Sequence, residues 1–186
     1  ETVWAGDTVF AVDVSESMAA ECPPNPSSLL DRAISSILQR LADLSPDEGR
    51  VALVTFASEA RILASPTAAH AVVRDALDGL APVSQSASLL AGLTAAGRVL
   101  EGRESEEGGR ILVFTSESAG LEGSVPALLA TLHERGVAIE VELFGDERSP
   151  SDGGWRDVGV RLLRTPCSAA PSPADPVAET EASVRR

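Results

Sequence analysis

The chain has no lysine and no tyrosine, a single methionine, two cysteines, and only 3% aromatic residues in 186. Each shortage excludes something. All 15 basic residues are arginines, set against 28 acids for a formal charge of −13, which argues against a nucleic-acid backbone or an anionic membrane as partner. Without lysine there is no ε-amine to hold a phosphoryl group beside an aspartyl nucleophile. No G-x-S-x-G elbow occurs, and the only histidines, His70 and His133, fall in segments with helical patterning, so a serine hydrolase lacks its parts. The first βα turn has no G-x-G-x-x-G for a dinucleotide. Cys22 and Cys167 form neither a zinc pattern nor a C-x-x-C motif. A disulfide between them would need an oxidising compartment, and two independent thiols is the expected state. No apolar run is long enough to span a bilayer. The N-terminal Glu1-Thr2-Val3-Trp4 carries neither an initiator Met nor a basic, apolar signal, as an excised or processed piece would look.

Hydrophobic residues make up 44% of the chain, enough for a core of one domain. Short apolar runs at 8–14, 50–56, 110–115 and 137–144 have the continuous character of strands buried on both faces. A short strand at 60–63 follows the second run so closely that the pair must be antiparallel, and a last strand is expected at 160–164. Between them, Leu30, Ala33, Ile34, Ile37, Leu38, Leu41 and Leu44 recur at three- and four-residue steps, which predicts a helix over 27–44. Asn25 is its expected cap, with Pro26 at the first helical position. Further helices are expected at 67–80, 88–100 and 125–135. Alternating strands and helices give an α/β, doubly wound, mostly parallel sheet with helices on both faces and one short antiparallel edge strand. Glu140 and Glu142 make the fourth long strand less apolar, so it should lie nearer an edge. Trp4 and Trp155 read as packing residues or interface anchors. The chain is expected to divide into a lead-in (1–7), one domain (8–165) and a tail (166–186). Proline and acids in that tail leave too little apolar surface to offset ordering, so deleting 171–186 is expected to leave the thermal midpoint nearly unchanged.

The first run ends abruptly in Asp13-Val14-Ser15-Glu16-Ser17, at the carboxyl end of a central strand, where open α/β sheets bind ligands. One alternative is a polar loop in which Ser15 or Ser17 merely caps a helix. With Met18, the D-x-S-x-S-M order resembles the first segment of the metal-ion-dependent adhesion site of von Willebrand factor type A domains, a Rossmann-like family. The resemblance extends over nearly all of the foldable chain, since these domains also carry a short antiparallel strand at the sheet edge. It implies two hydroxyls binding a divalent ion such as Mg²⁺, the Asp accepting bonds from metal-bound water, and a Thr and an Asp from two further loops. A partner's carboxylate then fills the open position.

Asp13, Ser15 and Ser17 match the first loop. The second departs from the pattern, with Ala87 where the Thr belongs and Ser86 and Ser88 flanking it. The third also departs: Thr-Asp-Gly reads Thr115-Ser116-Glu117, so Ser116 replaces the carboxylate and an acid follows one position later. Only Asp13 is a certain charged ligand, which predicts a weak, degenerate site. Glu117, Glu16, Glu21 or Asp146 would compensate if their loops folded inward. The resemblance, with the absence of a complete catalytic set, implies a non-enzymatic adhesion or scaffold domain that binds a protein partner through its top loops, with Glu16, Ser86, Ser88 and Glu117 as contact residues. Because the family also works inside cells beside AAA+ ATPases of the MoxR or chelatase kind, an accessory subunit of such a machine is the alternative. A metal-dependent or serine hydrolase is a third.

Overall fold

A computed structural model describes residues 6–23, 25–45, 49–101, 108–116, 121, 123–145, 155 and 159–167. Six strands form one sheet: β1 (Thr8–Asp13), β4 (Val51–Phe56), β5 (Ala60–Thr67), β6 (Arg110–Ser116), β7 (Ala138–Gly145) and β8 (Arg161–Pro166). Their order is β5-β4-β1-β6-β7-β8, all parallel except β5. The small β2 (Glu21–Cys22) and β3 (Asn25–Ser28) pair apart from it. Every residue of β1 is buried, as its unbroken apolar run requires near the middle of a sheet covered on both faces.

Alternation along the strands sorts two cores. Phe10 and Val12 join α1 (Leu29–Asp43) and α2 (His70–Asp78) on one face, while Val9 and Ala11 join α3 (Leu89–Glu101) and α4 (Val125–Glu134) on the other. β7 lies one place from the edge. Its two carboxylates are ion-paired rather than exposed: Arg40 of α1 pairs with Glu140 at 2.6 Å and with Glu142 at 3.2 Å, and Ser36 and Thr165 donate to Glu142.

At the opposite end from the strands' carboxyl termini runs a row of glycines. Thr8, Val51, Arg110 and Ala138 share one register level, and two residues before each stands Gly6, Gly49, Gly108 or Gly136. A Cβ on Gly49 would come within 2.5 Å of the Gly6 carbonyl, one on Gly6 within 2.0 Å of the Gly108 carbonyl, and one on Gly108 within 2.5 Å of the Gly136 carbonyl. The backbones entering the sheet therefore touch where side chains would normally stand.

Several local expectations change. Residues 25–28 form β3 and do not start the helix, because Ser28 and Asp31 supply a reciprocal cap three residues later: the Ser28 hydroxyl accepts from Asp31 N and the Asp31 carboxylate accepts from Ser28 N. β5 runs on to Thr67, irregular in register and tolerating Pro66 as an edge strand does, so α2 begins only at His70. Cys22 and Cys167 are not independent thiols: they form a disulfide. The two are 145 residues apart in sequence, and only the folded path, which brings the β2–β3 hairpin to the end of β8, makes them neighbours. β8 includes Pro166, and Cys167 donates its N–H to Gly145 O, both within the stretch expected to be tail. Trp155 is a packing residue of the α3/α4 core. Trp4, Asp146, Glu117 and residues 168–186 lie outside the described residues. Among the described residues no helix is long and apolar enough to cross a membrane.

Candidate functional site

The site sits at the carboxyl ends of β1 and β6. β1 delivers Asp13 fully buried, 0% exposed, and the chain then turns through Ser15 into a single 3₁₀ turn, Glu16–Ala19, whose Met18 plugs the α1/α2 core. Both Asp13 oxygens are engaged. Oδ1 accepts from Ser15 N at 2.8 Å, and Oδ2 accepts from the Thr115 hydroxyl at 2.6 Å. Val12 of β1 pairs in register with Phe114 of β6, which sets Thr115 level with Asp13. Sequence reasoning assigned Thr115 no role; its signal was that register, two hydroxyl residues closing a buried strand beside one that ends in Asp.

Beyond the carboxylate runs a chain of hydroxyls. Ser15 Oγ and Ser17 Oγ are 3.0 Å apart, and Ser17 Oγ and Ser116 Oγ 2.9 Å. Ser15, Ser17 and Ser116 thus form one hydroxyl chain that starts beside Asp13. The second loop closes over the first through its backbone: Glu16 N donates to Gln85 O at 3.0 Å and Val83 N to Val14 O at 2.7 Å. Gln85 also accepts from the Ser58 hydroxyl, so it ties three loops together, another role the sequence did not disclose.

Ser86 is exposed and outside this hydroxyl chain. Ser88 is half-buried and caps α3, its N–H donating to Ala57 O and its hydroxyl accepting from Ala91 N. Ala87 offers no hydroxyl. Glu16 and Glu21 are exposed and do not fold inward, so neither supplies a second charge to the site; Glu117 lies outside the described residues. Among the described residues no three His, Cys, Asp or Glu side chains gather as a metal-binding group.

Residues 8–119 match the von Willebrand factor type A domain. The chain belongs to that family. Solved VWA structures resemble it closely in fold: the conserved hypothetical protein BatB from Bacteroides thetaiotaomicron is 19% identical, with a TM-score of 0.71 over 86% of this chain and 90% of that one. The VWA domain of SpRpn10 is 20% identical, with a TM-score of 0.71 over 88% and 89%. Proximal thread matrix protein 1 from the mussel byssus, in a form with a zinc-occupied MIDAS motif, is 18% identical, with a TM-score of 0.60 over 89% of this chain and 42% of that one. No curated protein matches the chain. Domains of this family can bind divalent metals at a MIDAS and mediate protein interactions; the Asp13-Ser15-Ser17 loop of this VWA domain stands at the carboxyl end of β1.

Proposed function

We propose that this VWA domain is a non-enzymatic interaction module that binds a protein partner through the loops at the top of its sheet, with weak or lost dependence on a divalent metal. The observation that carries the reading is the hydrogen-bond chain Asp13–Ser15–Ser17–Ser116. Its hydroxyl spacings of 3.0 and 2.9 Å are close to the edge of an octahedron, about 3.0 Å when oxygens stand about 2.1 Å from Mg²⁺. The spacing suits a cation, but the charge does not. One carboxylate faces a double charge, and both of its oxygens already accept hydrogen bonds. Hard-cation affinity rises with the number of charged oxygen ligands, so the donor set fits a tightly held dication poorly. The same bonds brace the loop: Asp13 organises it from below through Ser15 and Thr115. Exposed Glu16 and Ser86 leave this loop pair open to a partner.

Titration calorimetry tests the metal half. The native domain should give weak heats or none with Mg²⁺ and Mn²⁺, and the double variant Ala87→Thr, Ser116→Asp should bind measurably, since it returns one oxygen and one negative charge. Tight Mg²⁺ binding by the native domain, weakened by Glu117→Gln, would assign the missing charge to Glu117. For the binding half, a photo-crosslinker at Glu16 should capture a protein that one at exposed Arg98 on α3 does not, and capture should persist in a chelator. Equal capture from both positions would remove the top loops as the binding surface.

A further inference from the structure

The sequence from Val14 to Ser28 does more than close the site. β8 stands three places from β1 in the sheet, and Cys22 is nonetheless bonded to Cys167 at the end of β8, their Cα atoms 4.9 Å apart. The segment after Asp13 therefore crosses the carboxyl ends of β6 and β7 before it is pinned at the sheet edge. On its way it buries Met18 and Cys22 in the core that also holds Phe114 of β6 and Phe144 of β7. Both pinned pieces are weakly held otherwise. β8 is an edge strand with no fully buried residue, and the β2–β3 hairpin is two-stranded with an irregular register, a form that is marginal alone.

We propose that the Cys22–Cys167 bond is a redox-set strut that holds the Asp13–Ser17 loop against Ser116, so that its opening loosens the top-face site. This rests on the reading of that face as the binding surface. The bond is lopsided in access: Cys22 is 1% exposed while Cys167 is half-buried. Cys167 is the more accessible half of the bond: the thiolate of an external dithiol attacks its sulfur, the Cys22–Cys167 bond breaks, and Cys22 leaves as a thiolate that takes up a proton. The second thiol of the dithiol resolves the mixed disulfide, frees Cys167 as a thiol, and leaves the reagent oxidised to its own disulfide. Two electrons and two protons pass to the protein.

Three measurements on the full chain test the strut. Protein isolated without reductant should take up no maleimide, even when unfolded, until it is reduced; two reactive thiols in the untreated protein would overturn the proposal. Hydrogen exchange, compared before and after dithiothreitol, should speed up at residues 15–22 and 161–167 while β4 and α3 are unchanged, and reoxidation should restore protection. A change confined to 161–167 would make the bond a staple for β8 alone and overturn its coupling to the site. The probe of the site itself is Mg²⁺ binding by the Ala87→Thr, Ser116→Asp variant, which should weaken about fivefold or more on reduction. Equal affinity in both redox states would overturn the coupling and leave the metal reading intact. If that variant binds no Mg²⁺ in either state, the reading of the site fails, and the exchange pattern alone decides for or against the strut.

Discussion

Thr115 carries an energetic role out of proportion to its size. Its hydroxyl is the side-chain partner of Asp13 Oδ2, and both residues are 0% exposed. Removing the donor leaves a buried carboxylate oxygen without its bond, which costs about 1–3 kcal/mol or more for a charged group. Thr115→Val should therefore lower the urea midpoint clearly, Thr115→Ser should keep most of it, and a midpoint unchanged in Thr115→Val would mean that Asp13 is satisfied another way. At this scale the sequence was partly legible. Asp13, Ser15 and Ser17 could be picked out because a polar triplet interrupts an apolar run, whereas Thr115 and Gln85 could not. Their roles depend on strand register and loop contact, which a linear pattern does not encode.

Among the elements, those with long periodic signals were readable and those made of few residues were not. β1, β4, β6 and β7 stand out as apolar runs, and α1 as a stripe at helical steps. β2 and β3 are two and four residues long, too short and polar for any period, and they displaced the start of α1 from the position that Pro26 suggested. The packing of α3 yields a sharper test. A Cβ on Gly92 would lie 2.5 Å from the ring of Phe56, itself 1% exposed. Gly92→Ala should destabilise by about 1–3 kcal/mol through overpacking. Gly79, at the end of α2, has an ordinary φ of −93° and nothing within 4 Å of the added carbon, so Gly79→Ala should gain about 0.4–1 kcal/mol. Thermal melts of the two variants should move in opposite directions; a shared direction would show that helix propensity, not the Phe56 contact, governs Gly92.

Over the whole molecule, the disulfide closes a loop with a sequence separation of 145, which takes in every strand of the sheet except β1. Such a link acts mainly on the unfolded chain, by limiting how far it can spread, and is worth about 2–5 kcal/mol for long loops. Reduction should lower the unfolding free energy, read from denaturant titrations, by an amount in that range; no change would mean that the reduced unfolded chain stays equally compact. The pairing was illegible because two cysteines in a chain do not say whether they meet. The sheet as a whole was legible, since strand and helix alternation constrains a parallel order with few alternatives.

The glycine row below the sheet has a consequence for how this chain can change over generations. One end of the sheet is closed by backbone touching backbone, the other by loops that, among the described residues, carry exposed side chains such as Glu16 and Ser86. Variation should therefore be polarised. In a saturation library selected for folded protein, Gly6, Gly49 and Gly108 should accept almost nothing, because even alanine would collide with a neighbouring carbonyl, while exposed Ser86 should accept nearly everything. New specificities can be explored at the top without touching the floor that keeps the strands in register, and a library in which both ends tolerate substitution equally would contradict that division.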